Sequence, residues 1–135
     1  MSVDIRKLDA LVGRAHGPQY DCADLAMDAA RELFGREIVL PSARPRPQGT
    51  RSQATALLRA MGELARPVAE PQDGDLVLMA LKGCEIAGHV GTWLHVNYSP
   101  HVLHTSLAMG YAGLTRLDEL PRYGIRVEGF YRWID

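Results

Sequence analysis

The apolar residues of this chain change their spacing partway along, and that change restricts the fold more than any other feature. In the first half they recur every three or four positions. Leu25, Ala26, Ala29, Ala30, Leu33 and Phe34 form one such stripe, which predicts a helix over Ala23–Phe34 closed by Gly35. Ile5, Leu8, Leu11 and Val12 form a shorter one over Asp4–Val12, with Asp4 as cap and Gly13 as stop. A third begins near Thr50, where Thr50 and Gln53 match a capping box. It continues through Ala54, Leu57, Leu58, Met61, Leu64 and Ala65 until Pro67 and Pro71 end it. Between the second and third stripes, Gly35 to Gly49 carries Pro41, Pro45 and Pro47 and should be extended and irregular.

Beyond these prolines the period becomes two. After the turn Gln72-Asp73-Gly74, strands are expected over Asp75–Ala80, His89–Val96, His101–Thr105, Met109–Thr115 and Arg126–Trp133. Leu117–Leu120, stopped by Pro121, reads as a single helical turn. Helices first and then consecutive strands with short connections imply an α+β fold. N-terminal helices would pack on one side of a central antiparallel sheet. At 135 residues, a single domain over 1–135 can bury a core of its own.

Charge and hydropathy exclude several classes. Fifteen basic against sixteen acidic residues give a net charge of −1, so no basic field favours nucleic acid or an anionic membrane. Arg44, Arg46 and Arg51 read as a solvated loop. The start, Met1-Ser2-Val3-Asp4-Ile5-Arg6-Lys7, lacks the apolar core and cleavage site of a signal peptide, so the chain is expected in the cytoplasm as synthesised. No apolar run approaches the roughly 18 to 20 residues that span a bilayer. The two cysteines, Cys22 and Cys84, make neither a zinc pattern nor a disulfide framework, and Cys84 falls in the turn Lys82-Gly83-Cys84-Glu85.

Chemistry concentrates elsewhere. Cys22 stands at the mouth of the Ala23–Phe34 helix, where unpaired N–H groups and the positive end of the dipole stabilise a thiolate. A cysteine buried mid-helix would be a small hydrophobe; one placed here is a candidate nucleophile. Asp21 beside it would raise the thiol pKa and is better suited to capping the helix. A cysteine nucleophile needs a base and a group that holds the base in the right tautomer. Of the five histidines, four fall between His89 and His104. His89 opens a strand after Gly88, and His104 lies on the next strand, beside His89 if the two strands form a hairpin. Cys22 would attack a carbonyl, His89 would carry the proton, and His104 would orient His89, with His95 or His101 as substitutes for His104. The Cys22 N–H would help hold the oxyanion, and His16, Gln19 and Tyr20 lie near enough in sequence to contribute. His101 and His104 point to opposite faces of a strand, and His89 and His95 lie too far apart to chelate one ion. No metal or other cofactor is therefore expected.

In order along the chain, Asp21-Cys22, Asp73-Gly74-Asp75-Leu76-Val77, His89-Val90-Gly91-Thr92-Trp93-Leu94 and Val102-Leu103-His104-Thr105 resemble the NlpC/P60 cysteine peptidases. The likeness runs from about Gly13 onward, and the closing Gly129-Phe130-Tyr131-Arg132-Trp133 is similar to phage tail-associated members. The resemblance implies a compact papain-like fold, with Cys22 as nucleophile, His89 as base and His104 as the orienting residue. It implies hydrolysis of a peptide bond in bacterial cell-wall peptidoglycan, often a D-glutamyl to diaminopimelate link. In tail-associated members the enzyme assists tail assembly or local wall penetration, which would give the chain phage tail proteins as partners and a place in the virion. Gly13-Arg14-Ala15-His16-Gly17 stands where the family carries an aromatic residue followed by glycines, so His16 takes the place of an oxyanion-assisting tyrosine. Two other readings stay open. One is a catalytically weak tail-tip assembly protein that keeps the fold for protein contacts; the other is a thiol acyltransferase of the same superfamily.

Overall fold

The structure, a computed structural model, describes residues 3–38, 59, 62–84 and 87–134. Two helices lead: α1 (Ile5–Leu11) and α2 (Cys22–Phe34). Strands β1 (Ala65–Val68), β2 (Leu76–Ala80), β3 (His89–Val96), β4 (Ser99–His104), β5 (Gly113–Arg116) and β6 (Arg126–Trp133) follow, with a 3-10 helix (Leu117–Tyr123) before β6. All the strand pairs are antiparallel, and they build one six-stranded sheet in the order β1-β6-β2-β3-β4-β5. The α+β class and the antiparallel sheet expected from the change of period are therefore present.

Alternation along the strands sorts the core into two faces. Val90, Leu94 and Leu103 face α1 and α2, meeting Ala23, Leu25, Ala26 and Ala29. The alanine-rich stripe lets α2 lie close to the sheet. Val77, Met79, Trp93 and Val102 face the other way and pack with Leu120 of the 3-10 helix. Helical structure thus covers both faces, not one side alone as the sequence suggested. None of the described helices is long and apolar enough to cross a membrane.

Several boundaries differ from expectation, each for a local reason. Pro121 does not stop the turn after β5. Its fixed φ suits a helical turn, and the stop comes from Gly124, left-handed at φ 72°. Ala65 is buried as expected, but in β1 rather than at the end of a helix. Among the described residues β1 pairs only with β6, at the sheet edge, where Pro67 is tolerated. Of the helix expected from Thr50, Arg59 and residues 62–64, Leu64 among them, are helical, while its other residues, the proline-bearing stretch from Val39 to Gly49, and Arg44, Arg46 and Arg51 lie outside the described residues. β5 begins at Gly113 instead of Met109, because the preceding residues pair with the loop after α1. There Gly13 N–H donates to Ala112 O at 2.8 Å, Ala112 N–H to Arg14 O at 2.8 Å, and His16 N–H to Gly110 O at 3.1 Å.

Candidate functional site

Asp21 fixes where α2 starts. Its carboxylate accepts the N–H groups of Ala23 and Asp24 at 3.1 and 3.2 Å, and the Asp24 carboxylate accepts the Asp21 N–H at 2.8 Å. This reciprocal capping box makes Cys22, one residue before the expected start, the first residue of the helix. The Cys22 side chain is partly exposed and packs on the cluster that holds Ala87 and Val90, on either side of His89 in the chain. The helix end favours a thiolate, whereas the carboxylates of Asp21 and Asp24 oppose one.

The β3–β4 hairpin builds the rest of the site. Its two-residue turn, Asn97-Tyr98, has both residues left-handed at φ 51° and 65°, the conformation whose twist suits a tight hairpin. That turn sets Thr92 opposite Leu103, so the next step of the register sets Gly91 opposite His104. His89 is then not directly across from His104 but diagonal to it, and the absence of a side chain at residue 91 leaves room for the rings to meet. A Cβ on Gly91 would collide with Val102 Cγ1 and lie 2.9 Å from Leu103 O and 3.1 Å from His104 Cβ. With that space open, His89 Nε2 and His104 Nδ1 are hydrogen-bonded at 2.8 Å, ring edge to ring face with planes 68° apart. Both rings are buried, at 3% and 1% exposure.

Burial is the main force on their protonation. It lowers His89 to about 3, helped by the charge His104 would carry and then by that of His16. It lowers His104 to about 4. At neutral pH both are neutral imidazoles, each with one N–H and one lone pair. Since Nε2 of His89 is bonded to His104, Nδ1 is the atom His89 can offer to a reacting group. At the far end, His104 Nε2 is bonded to Thr115 Oγ1 of β5 at 2.9 Å.

The remaining sequence candidates are placed as follows. His16 Nδ1 bonds Thr105 Oγ1 at 3.2 Å, which ties the loop before Cys22 to the residue after His104. Tyr20 turns the other way: its hydroxyl donates to Asp28 Oδ2 at 2.8 Å, and Arg14 Nη1 donates to both. Burial and the bond to Asp28 raise the Tyr20 pKa to about 12, so its phenol stays protonated and tied to the side of α2. Gln19 is exposed, in the tight turn between Gly17 and Tyr20. Among the possible substitutes for His104, His95 meets Asp73 at the exposed far end of β3, and His101 bonds Ser99 O at 2.9 Å. It is His104 that reaches His89.

Sequence reasoning did not single out Thr115, Thr105 or the spacing role of Gly91. Thr115 could have been found by carrying the alternation of β5 across to His104; Gly91 carries no signal until the hairpin register is known. Among the described residues, no group of three or more His, Cys, Asp or Glu side chains gathers as metal ligands. No protein-family model and no curated protein sequence matches this chain.

Proposed function

We propose that the chain is a thiol hydrolase with a papain-like arrangement of the NlpC/P60 type, acting on a peptide of bacterial cell-wall peptidoglycan. The observation that carries this reading is the 2.8 Å bond between His89 Nε2 and His104 Nδ1, two buried rings that burial keeps neutral. Two neutral imidazoles in series are costly to bury for stability alone, and they form the base and orienting pair that a cysteine nucleophile requires.

In the proposed cycle, Cys22 Sγ attacks the substrate carbonyl carbon while its proton passes to His89 Nδ1. Burial keeps His89 neutral beforehand, so its imidazolium forms only alongside the new negative charge. The Cys22 N–H, with the His16 ring, stabilises the oxyanion. His89 returns the proton to the leaving amine, the C–N bond breaks, and a thioester to Cys22 remains. Water then attacks the thioester carbonyl carbon, losing a proton to His89 Nδ1; the C–S bond breaks, the acid leaves, and His89 returns the proton to Cys22 Sγ. The resemblance supplies the substrate, a D-glutamyl to diaminopimelate link being the first to test, and a setting in a phage or prophage tail.

The rival reading, a tail-tip assembly protein with little activity, is favoured by one observation, the near-complete burial of His89. Incubation of purified muropeptides with the wild type and Cys22→Ala, followed by mass spectrometry, separates the two. A new free amine that depends on Cys22 is the expected result. Identical product profiles for both proteins would sink the hydrolase.

A further inference from the structure

We propose that Thr115 is a fourth, positioning residue of this site: through His104 it determines which nitrogen of His89 carries the proton. The inference rests on the hydrolase reading only for its consequence at Cys22; the tautomer itself can be read without any activity.

A neutral imidazole has one N–H to donate and one lone pair to accept with. His104 meets His89 Nε2 through Nδ1 and Thr115 Oγ1 through Nε2, at 2.8 and 2.9 Å. With one proton to place, His104 allows two self-consistent arrays. In the first, Thr115 Oγ1 accepts from His104 Nε2–H. His104 Nδ1 then presents its lone pair, His89 donates Nε2–H to it, and His89 Nδ1 is bare and able to act as a base. In the second, Thr115 donates to His104 Nε2, His104 donates from Nδ1, and His89 must hold its proton on Nδ1, where it cannot accept one from a thiol. The first array also suits the imidazolium formed after proton transfer, since His89 then still donates Nε2–H to His104.

The hydroxyl on β5 therefore decides whether the base is ready. Remove it, and His104 Nε2–H is left without an acceptor in a buried position. The pair then shifts toward the second array, where Nε2 carries only a lone pair. Valine has the shape of threonine and suits an edge strand, so Thr115→Val removes the hydroxyl with little change of packing. Thr115→Ser keeps it.

The experiment records ring ¹⁵N shifts of His89 and His104 at pH 7 in wild type, Thr115→Val and Thr115→Ser, together with iodoacetamide alkylation of Cys22. The expected result is the Nε2–H tautomer for both rings in wild type and a shift toward Nδ1–H in Thr115→Val. Cys22 alkylation should slow by roughly three- to tenfold with that shift, and Thr115→Ser should restore both readouts. An unchanged His104 tautomer in Thr115→Val overturns the proposal, as does a shifted tautomer with unaltered alkylation of a reactive Cys22. A Cys22 that is inert in all three proteins defeats the hydrolase reading instead, and the ¹⁵N shifts still decide the role of Thr115.

Discussion

The Asp75 carboxylate and the His89 ring are both buried, on either side of the β2–β3 pairing, yet they are satisfied in different ways. Asp75 is fully engaged. Oδ1 accepts from Arg132 Nε at 3.0 Å, and Oδ2 accepts from Arg132 Nη2 at 2.8 Å and from the Gln72 N–H at 2.7 Å. A forked ion pair of this kind joins β6 to the turn before β2 and has no remaining function to offer. His89 bonds His104 through Nε2, and in the proposed mechanism its Nδ1 is kept for the thiol proton. On the proposed reading, a buried polar group with every atom committed is a fastener, and one with an atom in reserve is a candidate for chemistry.

That contrast gives its largest test at His89. Glutamine there can still bond His104, so His89→Gln should keep the fold but lose the base. Alkylation of Cys22 at pH 7 should fall about a hundredfold while Cys84 is unaffected. Asp75→Ala should behave in the opposite manner. It leaves Arg132 and the Gln72 N–H without their acceptor, and Tm should drop by about 10 °C. Cys22 reactivity, measured well below the transition, should stay within about twofold of wild type. If Asp75→Ala slowed alkylation as much as His89→Gln, the two groups would form one network and the division would be wrong.

A smaller effect is expected where the backbone makes room for the pair. Gly91→Ala places a methyl against Val102 Cγ1, Leu103 O and His104 Cβ, all firmly held in the centre of the sheet. Denaturant titration should show a loss of about 1 to 3 kcal/mol from overpacking. The ring ¹⁵N shifts should show the His89–His104 bond weakened. A neutral result would mean that β4 can move away freely, and that Gly91 does not position the rings.

How much of this was readable from the chain depends on how local each feature is. The α2 stripe, its cap at Asp21 and its stop at Gly35 need only neighbours in sequence, and they were legible. So were the termini of β3 and β6, whose β-branched and aromatic runs are bounded by turn residues, although β6 carries an irregularity opposite Leu78 and Met79. The pairing of His89 with His104 was legible as a possibility, but the diagonal offset depends on the turn at Asn97-Tyr98, whose left-handed residues do not announce themselves by being glycine. β1 was hidden because Pro67 normally argues against a strand, and only its place at the sheet edge overrides that. The full length of the 3-10 helix is hidden for a similar reason: Pro121 argues for a stop where the fold needs a turn. Thr115 and the Asp75–Arg132 pair are contacts across the sheet, which no local pattern encodes.

The most delicate way to sharpen the comparison uses pH. In the folded chain His89 and His104 are lowered to about 3 and 4, against about 6.5 when exposed in the unfolded chain. Below pH 6.5 the unfolded state therefore binds protons that the folded state refuses, and stability must fall as pH falls, continuing until the folded values are reached. Between pH 6.5 and 5 each histidine should remove about 1 to 2 kcal/mol, in the order expected for a group that titrates only when unfolded. The double variant His89→Gln, His104→Gln has nothing to protonate at these positions. Its stability should decline less steeply over that window, with the difference fading again below about pH 3 once the wild-type rings also charge. Chemical denaturation at half-unit steps measures both slopes. Parallel slopes would mean that the rings already accept protons in the folded state near pH 6. The pair would then be open to solvent, and the sequestered base on which the proposed mechanism depends would not exist.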